Sequence, residues 1–470
     1  MTHVTSPCPS ACEPTGGQRT LLPLGVTLVA GALPVLLTVT MVTVAVEPIA
    51  VHYAVSAGVV HWVATAYLLA ITAVIPTLGW LVGRYGTRRV WFGALWLFLA
   101  GSLACAAAWS LGSLIVFRVA QGLGGGLILP LLQTVLAQRA GPGGFARAMA
   151  LVAVPGQLVP IIGPLVGGLL VDGPGWRWIF LLSGPLTVGA LLLARSGLPP
   201  DPATTPAAPL DVIGLLLAIP GLVVALYALS TIGQRGQLTG PGGWWLAIGG
   251  LLLAAYVVWG QGVGRPVLVD LELLRHQPVG AATAVTFMLG VCLWGSLFLL
   301  PLYLQQARGA GGTEAGLLLA PQGLGTLVGL LAVGWLVARA GSRRAAVAGL
   351  TLAMVATVPF AMAAAYPSDA VLASALFLRG LGLGIAGVPA LGAAYARLHQ
   401  NAAPAATTLL SIAQRLGAAI GTAVLAIVLD HLLLRGIEPV VAYGWTFTWS
   451  VLLTAVAAVL ATRLPARVTA

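Results

Sequence analysis

The chain has 470 residues, of which 59% are hydrophobic and only 7% are charged, and its formal net charge is +11. Soluble domains average about 25% charged residues, so this composition excludes a water-soluble fold and indicates an integral membrane protein. All 22 basic residues are arginines. In a membrane protein this excess indicates topology first, so we expect a lipid bilayer around the chain and no nucleic-acid partner.

The residues that would indicate a cofactor or an enzyme are missing from the sequence. The four cysteines are too few and too scattered to predict a disulfide framework, and they form no metal-ligand cluster. We find no phosphate-binding loop and no nucleophile–base pair, so we expect no cofactor, no catalysis and no ATP drive. Residues 1–20 are polar and lack the pattern of a signal peptide, so we expect a cytoplasmic leader.

Fourteen apolar stretches are long enough to span a membrane, since about 20 residues cross its hydrocarbon core. In chain order they are 21–46, 59–82, 90–109, 111–137, 148–171, 178–198, 211–231, 244–262, 279–305, 315–338, 345–366, 370–397, 404–432 and 443–463. Of the loop arginines, fifteen lie on one side and four on the other, at Arg177, Arg235, Arg308 and Arg435. Because arginine is enriched in cytoplasmic loops, we expect the protein to lie in the cytoplasmic membrane with both termini on the cytoplasmic side.

One eleven-residue segment occurs twice. Gly79 to Arg89 reads GWLVGRYGTRR and Gly334 to Arg344 reads GWLVARAGSRR, with eight of eleven positions identical. Each copy follows the second span of a six-span half, which indicates a parallel duplication of the kind found in transporters. We expect an all-α fold of two six-helix bundles plus two linker helices, 211–231 and 244–262, that act as tethers. The predicted regions are a leader 1–20, bundles 21–198 and 279–463, a linker 199–278 and a tail 464–470.

Further motifs follow the first basic loop in order along the chain. They are Arg118-x-x-Gln121-Gly122 in span 4, the Gly- and Pro-rich run from Gly156 to Gly168 in span 5, Trp176-Arg177-Trp178-Ile179-Phe180 before span 6, and Gln414 to Thr422 in span 13. Together they resemble the major facilitator superfamily, and within it the 14-span drug:proton antiporter group. The resemblance covers nearly all of the chain after residue 20. It implies an exporter of organic compounds that exchanges its substrate for protons by alternating access.

The resemblance assigns a gating role to the two basic loops. The residues concerned are Gly79, Arg84, Gly86, Arg88, Arg89, Gly334, Arg339, Gly341, Arg343 and Arg344. The family is held to use an acidic residue of this loop as a latch between the halves. Here Gly83 and Ala338 take that position, so a purely topological role for the arginines stays open beside gating.

The second role that the resemblance implies is proton coupling, which it assigns to Arg118. An arginine within a span is a functional candidate by default, although bonding to backbone carbonyls is the alternative. The group usually has an acid in span 1, where this chain has Thr38. Glu47 and Asp430 are therefore the candidate titrating groups, with His52, His61 and His431 behind them. An ordinary interfacial position is the alternative for all five.

Span 5 is rich in helix-loosening and small residues. The resemblance implies an antiporter hinge formed by Pro155, Gly156, Gly163, Pro164, Gly167 and Gly168. Small residues at four-residue spacing also allow close helix packing, and this second interpretation stays open.

Three arginines within spans and no carboxylate at mid-membrane favour a neutral or anionic amphiphile as the small organic substrate. Candidate cavity residues combine aromatic rings, neutral amides and two of these arginines: Trp62, Tyr67, Gln121, Gln133, Gln157, Trp294, Tyr303, Gln305, Gln322, Arg379 and Arg415. Trp62 and Tyr303 also suit an interfacial aromatic belt. We expect a monomer.

Two other functions stay open on the sequence alone. The missing acids favour, as one alternative, an uncoupled facilitator or a lipid or metabolite exporter whose proton coupling has decayed. A non-transporting membrane sensor or scaffold is the alternative from another class, and the presence of Arg118 and the complete span-5 motif weighs against it.

Overall fold

A computed structural model describes residues 17–55, 57–139, 145–198, 200–201, 210–235, 240–262, 269–310, 312–362, 368–395 and 402–465. These residues form helices and no strand. The first eight helices are α1 Gly17–Val44, α2 Val46–Tyr53, α3 Ala57–Val74, α4 Leu78–Tyr85, α5 Thr87–Ala106, α6 Leu111–Arg139, α7 Phe145–Asp172 and α8 Arg177–Gly197. The remaining eight are α9 Val212–Arg235, α10 Pro241–Gly262, α11 Gln277–Leu302, α12 Gly312–Ala340, α13 Ser342–Ala361, α14 Asp369–Tyr395, α15 Ala403–Leu434 and α16 Pro439–Ala461.

The predicted all-α membrane fold is confirmed. Within the described residues, 13 helical segments are long and apolar enough to cross a bilayer. At the place of the predicted fifth span lies α7, a helix of 28 residues. The second predicted span is divided into α3 and α4 by a 3₁₀ turn over Ile75–Thr77. Proline at position 76 accounts for this break, because it cannot donate the backbone hydrogen bond that a continuous helix requires.

The helices pack as two groups with similar internal arrangements. In the N-terminal bundle, α1 packs on α7 and α8, α6 packs on α3 and α5, and α5 also packs on α8. In the C-terminal bundle, α11 packs on α14, α15 and α16, and α14 packs on α12 and α13. The duplicated loops have the same backbone: Gly86 has φ 85° and ψ 161°, and Gly341 has φ 84° and ψ 162°. Glycine adopts this positive-φ conformation without steric cost, which explains its presence in both copies.

The two linker helices differ in position. α9 packs against α3 of the N-terminal bundle and α15 of the C-terminal bundle, and α10 packs against α9. The ring of Trp62 stacks on that of Tyr227 in α9, with 5.6 Å between centroids. α9 therefore lies along the seam between the bundles, and the tether role of the two linker helices stays a prediction.

The bundles meet at the end that carries the basic loops. One buried apolar cluster there contains Leu131 and Val135 of α6, Leu330 and Val333 of α12, and Val388 of α14. We call this end the closed end. At the far end, the described buried clusters each belong to one bundle: one lies around Phe180 and the other around Phe447. The membrane-spanning helices thus converge at one face and pack independently at the other.

Candidate functional site

Arg118 lies inside the N-terminal bundle, seven residues from the start of α6, and its side chain is only 1% exposed. Its Nε donates to the Val63 carbonyl oxygen at 3.0 Å, and its Nη1 donates to Gln121 Oε1 at 2.7 Å. Gln121 Nε2 in turn donates to Ser102 Oγ at 2.6 Å. The guanidinium carbon lies 3.9 Å from the centroid of the Tyr67 ring, which is a cation–π contact. The charge is therefore held by neutral groups.

Arg379 has the corresponding environment in the C-terminal bundle. It is 2% exposed on α14, and its Nη1 donates to Gln322 Oε1 at 3.0 Å. Its Nε donates to Thr357 Oγ1 at 3.2 Å, and its Nη2 bonds the Cys292 carbonyl oxygen at 3.1 Å and Ser296 Oγ. Buried arginines satisfied by several neutral acceptors are stable in position, because each hydrogen bond to a charged group is stronger than a neutral one.

The position where the resemblance predicts an acid in span 1 is neutral and packed. Thr38 is 0% exposed and donates to the Pro34 carbonyl oxygen at 2.7 Å. Its hydroxyl also lies 2.8 Å from Ser183 Oγ of α8. In the other bundle, Ser296 of α11 and Ser450 of α16 form the same kind of pair at 3.3 Å. Both bundles thus use hydroxyl pairs at this site, which carry no charge to titrate.

Arg415 differs from the other two arginines within spans. It lies on α15 with a half-buried side chain, whereas Arg118 and Arg379 are fully buried. The ion pair found among the described residues, Arg308–Asp369 at 2.9 Å, lies elsewhere, near the start of α14.

The other predicted cavity residues are dispersed. Gln133 is half-buried on α6, Trp294 is 50% exposed and Gln305 is exposed, while the side chain of Gln157 lies outside the described residues. Tyr303 is buried at the far end of the C-terminal bundle, where its ring contacts Phe360, Tyr443 and Phe447. Of the predicted set, the structure brings together Tyr67 and Gln121 around Arg118, and Gln322 with Arg379.

The candidate titrating groups lie away from these networks. Glu47 is exposed on the short helix α2, and Asp430 is half-buried near the end of α15. His52 is exposed on α2, with Nε2 3.3 Å from Arg177 Nη1. His431 is exposed, and the side chain of His61 lies outside the described residues.

An acid that the sequence patterns did not indicate accepts hydrogen bonds from the first basic loop. Asp201, in the segment after α8, accepts the backbone N–H of Arg88 at 2.7 Å and of Arg89 at 3.2 Å. Arg88 Nη2 donates to the Arg195 carbonyl oxygen at 2.8 Å, which ties the loop to the end of α8. A carboxylate at the first turn of a helix satisfies free amides and interacts favourably with the helix dipole. Asp201 thus caps α5. At the position where the motif usually has an acid, this chain has Gly83 in the first copy and Ala338 in the second.

Hydroxyl groups link the bundles at the closed end. Thr134 of α6 donates to Thr407 of α15 at 3.2 Å, and Tyr395 of α14 lies 2.8 Å from the same oxygen. The segment predicted as the first basic loop is helical on both sides of Gly86, so Gly79 lies in α4. Gly79 faces Ala405, whose Cα would lie 4.0 Å from an added Cβ. The first basic loop therefore approaches the start of α15 closely.

Glycines of α7 lie directly against α1. An added Cβ at Gly163 would overlap the hydroxyl of Thr40, and one at Gly167 would lie 3.1 Å from Met41 Cα. Gly156 and Gly168 have more space, and the side chains of Pro155 and Pro164 lie outside the described residues. This arrangement is close glycine-mediated packing, which a hinge at the same place would have to loosen.

Comparison with known proteins agrees with this architecture. The family model of the Major Facilitator Superfamily matches residues 28–422. The chain is 36% identical over 438 residues to a multidrug resistance protein B homolog of Mycobacterium tuberculosis, covering 90% of this chain and 81% of that protein. The crystal structure of the human organic anion transporter MFSD10 (TETRAN) superposes with a TM-score of 0.63 at 17% identity, covering 96% and 100% of the two chains. A bacterial homologue of the iron transporter ferroportin, in an outward-facing state, gives 0.65 at 14% identity over 93% and 98%.

Proposed function

Because the chain belongs to the Major Facilitator Superfamily, we propose that it exports small organic molecules across the cytoplasmic membrane by alternating access of its two bundles. The preferred substrates are neutral or anionic amphiphiles, exchanged for protons, and the protein acts as a monomer with both termini in the cytoplasm. The name of the mycobacterial relative refers to multidrug resistance, which supports organic compounds as the substrate class.

The single observation that carries the substrate class is the chemistry of the buried polar residues. Among the described residues these are arginine, glutamine, serine and threonine, with no acid and no histidine. Arg118 and Arg379 already have several hydrogen-bond partners each. Arg415 is the third arginine within a span; it is half-buried, and its charge suits an acidic amphiphile. An organic cation would meet like charge there.

The direction of export is supported by the shape of the molecule. Placing the arginine-rich loops in the cytoplasm puts the closed end inside and makes this conformation open to the outside. Uptake of substrate from the cytoplasm then requires the contacts around Thr134, Thr407 and Val388 to separate.

Proton exchange needs a titrating group, for which Glu47 and Asp430 stay the candidates. The neutral pair of Thr38 and Ser183, at the place of the usual acid, favours an uncoupled facilitator as the second candidate function. The two differ in what drives export, so one measurement separates them.

The test uses inverted membrane vesicles with an imposed pH gradient and two dyes of similar size, one a sulfonate and one a quaternary ammonium. We expect the sulfonate dye to dissipate the gradient on addition. We expect Arg415→Gln to raise the KM for that dye about tenfold, since a charge-assisted hydrogen bond is lost. Export that continues after the gradient is collapsed would select the facilitator. A strong preference for the quaternary ammonium dye would contradict the proposed substrate class.

The topology has its own test. Single cysteines placed in the two basic loops should react with an impermeant maleimide only from the cytoplasmic face. Reaction of the two loops from opposite faces would refute the arrangement of two parallel bundles.

A further inference from the structure

A groove of about 700 Å³ runs along the outer face of α13, at the closed end of the C-terminal bundle. Its lining residues are Arg343, Arg344, Val347, Ala348, Thr351, Leu352, Val355 and Thr462. From Arg344 to Val355 the helix rises about 16 Å, which is about half the thickness of a hydrocarbon core. The groove therefore has two arginines at the membrane surface and an apolar floor one leaflet deep.

Among the described residues, neither arginine at the mouth of the groove forms an ion pair. Arg343 and Arg344 are exposed, and Arg343 Nε donates to the Leu464 carbonyl oxygen at 2.6 Å, which holds its side chain beside the end of α16. After Glu272 the sequence contains four acids, namely Glu314, Asp369, Asp430 and Glu438. All four lie at the far end of the C-terminal bundle, at the start of α12 and α14, the end of α15 and the start of α16.

The first copy of the duplicated segment binds a carboxylate through its backbone amides, and the second copy has the same backbone conformation. In the first copy, the amides of Arg88 and Arg89 hold the carboxylate of Asp201. The second copy has the same glycine conformation before Arg343 and Arg344, as described above. Arg343 Nε contacts the Leu464 carbonyl oxygen after α16, as Arg88 Nη2 contacts the Arg195 carbonyl oxygen near the end of α8. The start of α13 thus repeats this anion-binding backbone, and among the described residues no carboxylate bonds the amides of Arg343 and Arg344.

We propose that the groove binds an anionic glycerophospholipid such as phosphatidylglycerol. The phosphodiester lies between the guanidinium groups and the first amides of α13, and one acyl chain lies along Val347, Leu352 and Val355. Basic pockets beside membrane helices bind anionic headgroups in this way, and the apolar floor distinguishes a lipid from a free phosphate ion.

The test titrates the full-length protein, in a neutral detergent, with phosphatidylglycerol or with phosphatidylcholine of the same chains, and counts bound lipids by native mass spectrometry. We expect at least a tenfold preference for phosphatidylglycerol. The double variant Arg343→Gln/Arg344→Gln should weaken phosphatidylglycerol binding about thirty-fold, since each arginine near an anionic headgroup contributes about a fivefold factor. The variant Ala348→Trp fills the groove without a change of charge and should weaken binding of both lipids.

The control is Arg139→Gln/Arg195→Gln, which removes two exposed arginines from the same end of the N-terminal bundle. We expect it to keep the phosphatidylglycerol preference, and all variants to keep their melting temperature, since the side chains changed are exposed. An equal loss of binding in the control would overturn the proposal in favour of general surface attraction. Displacement of the lipid by millimolar inorganic phosphate, or full binding by Ala348→Trp, would overturn it in favour of a site for free anions.

Discussion

The hydroxyl contact between the bundles allows a quantitative prediction about the conformational equilibrium. Thr134 of α6 donates to Thr407 of α15 at 3.2 Å, and both residues are fully buried. Thr407 also donates to the Ala403 carbonyl oxygen at 2.8 Å and contacts Tyr395 at 2.8 Å. Those two contacts lie within the C-terminal bundle and persist when the bundles separate. The variant Thr134→Val therefore removes a cross-bundle hydrogen bond while keeping the shape of the side chain.

A buried neutral hydrogen bond contributes about 0.5–1.5 kcal/mol net. Because Thr407 keeps its other two contacts in the variant, no large desolvation penalty is added. A loss of about 1 kcal/mol from the closed arrangement lowers the closed-to-open ratio about fivefold, since 1.4 kcal/mol corresponds to a factor of ten. The matched control is Thr408→Val. Thr408 is equally buried but donates to the Pro404 carbonyl oxygen of its own helix at 2.9 Å, so its loss affects both conformations alike.

The assay is the rate at which a small maleimide labels a cysteine introduced at Ala405, which faces Gly79 at the closed end. The four native cysteines are replaced by alanine in the parent protein. We expect Thr134→Val to raise the labelling rate about fivefold and Thr408→Val to leave it unchanged. The double variant Thr134→Val/Thr407→Val should open the protein no more than the more open single variant, since both remove the same bond. Equal rates in Thr134→Val and Thr408→Val would refute the reasoning.

Three further outcomes follow from the helix contacts. Gly382→Ala should cost about 1–3 kcal/mol and lower the melting temperature, because its Cβ would lie 2.7 Å from the backbone nitrogen of Ala353, whereas Gly387→Ala, with open space, should not. Asp201→Ala should cost about 0.5–2 kcal/mol in thermal unfolding, since two amides at the start of α5 lose their acceptor. Arg118→Ala should insert into the membrane normally but lose proton exchange by at least tenfold in vesicles, and full exchange activity would remove this residue from the mechanism.

The helical fold could be predicted from the sequence because a membrane imposes a strict local rule. Each span must satisfy its own backbone groups, so length and apolarity alone identify it. The duplicated basic segment then indicated two related halves, and the matching conformations of Gly86 and Gly341 confirm that the copies fold alike. The position of α9 had no such signal. An apolar helix between two bundles has the same hydropathy pattern whether it lies in lipid or along the seam between the bundles.

The site could be predicted only in part, for a related reason. Gln121 is three residues from Arg118 on one helix, so a hydrogen bond between them can be anticipated from spacing. The other partners of Arg118 come from α3 and α8, and the Asp201 contact joins residues 113 positions apart in the chain. Contacts of this kind depend on how helices rotate and slide against each other, which hydropathy does not encode.

The neutral surroundings of the buried arginines restrict how protons could drive transport. Arginine keeps its proton in proteins, so Arg118 and Arg379 act as fixed charges and cannot carry protons themselves. A fixed cation can instead favour the ionised form of an acid that approaches it in one conformation only. Glu47 and Asp430 lie at the far end, where the bundles are not joined by a described buried cluster. In the proposed exchange, closure of the far end buries one of these two acids, and the measurement that tests this is the accessibility of Glu47 and Asp430 in the inward-open state.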